Sequence, residues 1–180
     1  MRSDDAELIV EHALSNESNL ILAAKIGSAY PQLKAEVIRR FLSRLETEVQ
    51  GALGADWAAK IERKEKGAPY LFVRKLEWPE GIHIGIGSEN GCLSYVYLWV
   101  TPCGKRLKNE LLDEEIRTAL EEASRPWKTS ELFIWRCLDK YRDWGSQETL
   151  IEVYRASEAL RYISALLVDM AKTVAPLIDR

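Results

Sequence analysis

From Val153 to Leu177 an apolar residue recurs every three or four positions: Val153, Ala156, Leu160, Ile163, Leu167, Met170, Val174 and Leu177. That spacing lays one stripe down one side of a helix. A chain carrying it must supply a surface to cover it, so the rest of the sequence has to be read for what packs there. Leu150, Ile151, Tyr154, Leu166 and Ile178 widen the stripe, which suits a core-facing helix. Ser146 caps this element, expected over 146–178 and roughly 45–50 Å long if unbroken. Arg155-Ala156-Ser157-Glu158 is the place where it would kink.

The covering surface is a sheet. The apolar period changes after Gly54, from helical to alternating. Residues 1–53 read as helical: a short amphipathic helix over 4–14, a second over 19–29 capped from Ser15-Asn16-Glu17-Ser18, and a third restarted by Tyr30-Pro31. The third buries Leu33, Val37, Ile38, Phe41, Leu42, Leu45 and Val49, and ends at Gly51 and Gly54. Residues 57–64 and 70–78 read as strands. Ile82, Ile84 and Ile86 then alternate with His83, Gly85 and Gly87, Asn90-Gly91 turns the chain, and Tyr95, Tyr97 and Trp99 alternate with Val96, Leu98 and Val100. Pairing across an even-numbered loop sets the isoleucines and the aromatics on one face, with glycines and aliphatics on the other. Both faces are then apolar, and the hairpin is expected mid-sheet, covered on both sides. A helix over 113–123 opens with Asp113-Glu114-Glu115 at its positive end. Residues 131–138 alternate as a further strand.

The expected fold is therefore one α+β domain over 1–180. An antiparallel meander over 57–100, in a sheet of about four to five strands, packs against N-terminal helices and one long C-terminal helix. A chain of 180 residues is long enough for one real core and short for two. The net charge of −3 gives no global field toward nucleic acid or an acidic membrane. No apolar run is long enough to span a bilayer, and the acidic start Met1-Arg2-Ser3-Asp4-Asp5 lacks an apolar signal core. Cys92, Cys103 and Cys137 cannot all pair within one chain and show no CxxC spacing, so reduced thiols in a cytoplasmic protein are expected.

The candidate chemistry is sparse. Gly85-Ile86-Gly87 leads into a strand, where a phosphate loop would need a helix, so a hairpin explains the glycines. Glu62-Arg63-Lys64 fits the carboxylate-x-lysine half of a metal-dependent nuclease site, in which Glu62 and Lys64 would be catalytic. That chemistry needs a second carboxylate within about 5 Å to share one ion, and Asp56 is the nearest upstream acid. His12 and His83 lie far apart, and with the cysteines they show no paired ligand spacing, so no metal or cofactor is assigned. Tyr95, Tyr97 and Trp99 form an aromatic strand face, the arrangement on which single-strand nucleic-acid binders stack bases. The lysines and arginines such a face needs lie on other segments, at Arg74, Lys75, Lys105, Arg106 and Lys108. These three aromatics are the candidate ligand-binding residues.

Tyr30-Pro31-Gln32-Leu33-Lys34, the Gly-Ile meander, the Trp-rich segment from Trp127 to Trp144 and the close Ala175-Pro176-Leu177-Ile178-Asp179 follow one another in a suggestive order. Over residues 30–179 this resembles the region after the catalytic core in some bacterial PD-(D/E)xK-superfamily proteins of defence loci and mobile elements. The resemblance implies an accessory or recognition module and argues against an active nuclease; no site residue is carried over. The leading expectation is a non-enzymatic binding or interaction protein. It would be a homodimer, or hold a protein partner, through Leu160, Ile163, Leu167, Met170, Val174 and Leu177 of the last helix. The alternatives are a metal-dependent nuclease or phosphodiesterase and a small-ligand binder on the aromatic face.

Overall fold

The computed structural model describes residues 3–63, 68–88, 95–101, 110–123, 126–130 and 134–180. The chain forms two compact units, residues 1–36 and 37–180. The first holds α1 (Ser3–Leu14) and the opening turns of α2 (Glu17–Leu53). Asn16 caps α2, its side-chain oxygen accepting from the Asn19 N–H at 2.9 Å, as the Ser-Asn-Glu-Ser run implies. Pro31 does not restart the chain. It lies inside α2, and the expected helices over 19–29 and 31–53 are one element. The proline leaves the Gly27 carbonyl without its usual donor, and the helix continues past it.

In the second unit α2 buries Val37, Ile38, Phe41, Leu42, Leu45 and Val49. It ends at Gly54, which takes the left-handed conformation at φ 87 and donates its N–H to the Gln50 carbonyl at 3.0 Å. Gln50 also fastens the helix to the first strand: its amide nitrogen donates to the Trp57 carbonyl and its amide oxygen accepts from the Ala59 N–H, both at 2.9 Å.

Among the described residues the sheet has six antiparallel strands, one more than the upper expectation: β1 (Trp57–Arg63), β2 (Pro69–Lys75), β3 (His83–Ser88), β4 (Val96–Thr101), β5 (Lys128–Thr129) and β6 (Ile134–Cys137), in the order β1-β2-β3-β4-β6-β5. β2 stops at Lys75, and Trp78 is buried in the turn beyond it, where its indole N–H donates to Asp179 at 2.9 Å. The two-residue β5 was not expected. The Asn90-Gly91 turn, Cys92, Cys103, Lys64 and residues 131–133 lie outside the described residues.

Register overturns the expected facing of the hairpin. Ile84 pairs with Val100 and Ile86 with Leu98, while Gly85 pairs with Trp99 and Gly87 with Tyr97. The pairing of Ser88 with Val96 leaves an odd number of residues, 89–95, between the strands. Isoleucines therefore share a face with aliphatics, and glycines with aromatics. The aliphatic face is fully buried and joins one core with α2 and α5 (Ser157–Ile178). The other face is not covered as expected: every described side chain on it, from Lys60 to Trp135, keeps contact with water.

α3 (Glu110–Ala123) and α4 (Gln147–Arg155) both pack on α5. The long C-terminal helix is two helices. Ser146 caps α4 through the Thr149 N–H at 3.2 Å, and Ala156 ends it in the left-handed region at φ 65, at the expected kink. At the far end Asp179 caps α5 and pairs with Lys75 of β2 at 2.7 Å.

Candidate functional site

The half-buried face of the sheet gathers Tyr70 and Phe72 of β2, His83 of β3, Tyr97 and Trp99 of β4, and Trp135 of β6. Strand alternation puts them on one side, because Phe72 pairs with Gly85, Gly85 with Trp99, and Trp99 with Trp135. The glycines are what let the rings lie down. A Cβ at Gly85 would fall inside the Trp99 indole, and one at Gly87 would strike Tyr70 at 2.6 Å and Trp99 at 3.2 Å. Trp99 therefore rests on the bare backbone of β3.

The rings pack at tilted and edge-on angles. Tyr70 lies 5.9 Å from Trp99 at 56°, Tyr97 lies 5.1 Å from Trp135 at 89°, and Phe72 lies 5.6 Å from His83 at 60°. Such geometries hold aromatic groups in place with about 0.5–1.5 kcal/mol per pair beyond the area they bury. Four charged side chains share the face among the described residues: Lys60, Glu62, Arg74 and Lys128. Lys128 sits 5.1 Å over the Trp135 ring. Glu62 is engaged by Tyr70, whose hydroxyl donates to it at 2.6 Å. Burial, and then that bond to the carboxylate, push the Tyr70 hydroxyl up to about 12, so it remains a donor across the physiological range. Burial lowers His83 from its ordinary value, so the ring is neutral at pH 7.

Of the three aromatics singled out in the sequence, Tyr97 and Trp99 belong to this face. Tyr95 does not. It precedes β4 in the left-handed region at φ 64, is exposed, and stacks with Arg142 at 4.7 Å. Tyr70, Phe72, His83 and Trp135 were not anticipated. The signal for them was the glycine alternation in β3, which accepts bulky rings opposite it.

The two other sequence-derived sites are corrected. Glu62 and Asp56 lie at opposite ends of β1, about 20 Å apart along an extended strand, so they cannot share an ion. Among the described residues no group of three His, Cys, Asp or Glu side chains is placed to hold a metal. Ile163, Leu167, Met170 and Val174 are buried in the chain's own core, and Leu160 and Leu177 pack half-buried against it. The stripe packs toward the sheet, with Leu160 and Leu177 keeping part of their surface accessible. No described helix is long and apolar enough to cross a membrane.

A cleft of about 320 Å³ in the second unit has Val37, Phe41 and Val153 as its floor, with Arg40, Arg44, Tyr154 and Arg155 around it. In the first unit no described side chain from residue 6 to residue 36 is buried. No protein-family model, no curated protein and no solved structure matches the chain.

Proposed function

We propose that this is a non-enzymatic, cytoplasmic binding protein that takes a flat unsaturated ring bearing an anionic group on the open face of its sheet. The observation that carries the reading is the co-facial, water-accessible set of Tyr70, Tyr97, Trp99 and Trp135 on a rigid antiparallel scaffold. A sheet face without a binding role is ordinarily polar where it meets water; this one is aromatic. Lys60, Arg74 and Lys128 against Glu62 make the face locally cationic in a chain of net charge −3, which suits an anionic substituent. The nuclease reading loses its second carboxylate. An accessory or recognition role in a bacterial defence or mobile-element system, implied by the resemblance over residues 30–179, is compatible with a binding face.

Calorimetric titration with adenosine monophosphate, adenosine and inorganic phosphate tests this. The nucleotide is expected to bind, the nucleoside to bind more weakly, and phosphate alone to give no heat. Stacking on one aromatic ring contributes about 1–3 kcal/mol, so Trp99→Ala should weaken binding by about fivefold or more. No binding by any of the three, or wild-type affinity in both Trp99→Ala and Trp135→Ala, would overturn the proposal.

A further inference from the structure

We infer that a ring bound on the open sheet face lies in one direction, with its anionic group seated on Arg74, beside His83 and Thr101; the inference rests on the ring-binding function just proposed. Register sets these three residues side by side. Ala58 pairs with Arg74, the step that pairs Val73 with Ile84 puts Arg74 opposite His83, and His83 pairs with Thr101. Strand alternation turns all three to the aromatic face. Arg74 is half-buried, and among the described residues no carboxylate or other acceptor engages it. On its outer flank Ala58 offers only a methyl group, so the guanidinium keeps its donors for a ligand. His83 Nε2 lies 3.4 Å from Thr101 Oγ1, and Phe72 backs the imidazole at 5.6 Å.

Charge across the face selects the direction. Glu62 pairs with Tyr70 and accepts from its hydroxyl. Tyr70 and Arg74 stand four residues apart on β2, about 13 Å along the strand. Phe72, Gly85 and Trp99 form the row between them. A ring on Trp99 therefore has a carboxylate toward one end and a guanidinium toward the other, and an anionic substituent is repelled by the first and drawn to the second. Lys60 lies opposite Phe72 in the middle row and favours neither end, while Lys128 stands over Trp135 at the far edge of the sheet. The guanidinium also offers two parallel N–H groups to a carboxylate, phosphate or sulfonate, which an ammonium does not. His83 adds a signature. Burial lowers the ring from its ordinary value against the pull of the Gly81 backbone and Glu62, and Arg74 adds to the lowering. An anion on Arg74 offsets that last cause and sets a negative charge beside the imidazole. The ring then takes up a proton more readily when the site is filled, so by linkage the anion binds more tightly as pH falls.

Naphthalene-2-sulfonate is the probe, a flat ring whose anionic group keeps its charge between pH 8 and pH 5. Titrated calorimetrically into the full chain, it should bind the wild type at pH 8 and about tenfold more tightly at pH 5. Arg74→Gln should weaken binding at pH 8 by about tenfold, more than Lys60→Gln or Lys128→Gln does, and Arg74→Lys should recover part of the loss. His83→Gln should flatten the pH dependence. Near-ultraviolet circular dichroism reports whether each variant keeps the fold. Wild-type affinity in Arg74→Gln, a larger loss in either lysine variant, or a wild-type affinity that does not rise toward pH 5 overturns the inference and leaves the ring-binding function standing. A rise toward pH 5 that persists in His83→Gln overturns the placement of the anion beside that ring. No binding by the wild type, or binding that neither Trp99→Ala nor Trp135→Ala weakens, overturns the function and the inference together.

Discussion

Gly85 and Trp99 decide which way the sheet faces. The indole occupies the space a side chain at position 85 would take, so Gly85→Ala must push the ring off the strand. Overpacking of this kind costs about 1–3 kcal/mol, and denaturant unfolding should show a loss in that range, with a shifted tryptophan emission in the folded state. An unchanged midpoint would mean that the ring does not rest on the glycine. This pairing was present in the sequence as two alternations side by side, but alternation alone leaves the parity of the connecting loop open. The pairing of Ser88 with Val96 makes the connection odd, and Tyr95 enters β4 from the left-handed region. Nothing in a period-two pattern of one strand reports its register with the next, and so Tyr97 and Trp99 were legible as a pair while their neighbours Tyr70 and Trp135 were not.

At the scale of elements, caps were the most readable feature. Asn16, Gly54 and Ser146 each sit where their side chain or conformational freedom satisfies a helix end. The kink within the last apolar stripe was also readable in place, though its mechanism was not: Ala156 adopts φ 65 while almost fully buried. The left-handed conformation costs an L-residue roughly 1–2 kcal/mol. Ala156→Gly should therefore stabilise the second unit by about 0.5–1 kcal/mol, measured as a raised midpoint in urea; a loss would show that the methyl group packs for more than the strain. Pro31 misled, because a proline at a plausible first helical turn and a proline inside a longer helix have the same local sequence.

The far end of α5 adds a pH dependence. The hydrogen bond from Lys75, helped by that from Trp78, holds the Asp179 carboxyl below its ordinary range. A depressed carboxyl contributes stability that is present above its unfolded pKa and lost as pH falls through its folded one. Asp179→Ala should lower the melting temperature at pH 7, and the gap from wild type should close as the solution is taken to acid below the carboxylate range. A gap independent of pH would assign the effect to packing alone.

For the whole molecule, the stripe from Val153 to Leu177 led to the α+β architecture. It closes the buried side of the sheet, which turns attention to the side it leaves open. The α+β class was legible because period changes at Gly54 and again near Ser146 mark where helix gives way to strand and back. The aromatic face was only partly legible, since it assembles from β2, β3, β4 and β6 through register, a property of pairs of strands and not of any one segment. Its direct test is the set of indole N–H resonances in a nitrogen–proton correlation spectrum during titration with adenosine monophosphate. The account predicts that Trp99 and Trp135 shift with saturation while Trp78, Trp127 and Trp144, buried elsewhere in the fold, stay in place. Shifts confined to the buried tryptophans, or none at all, would contradict it.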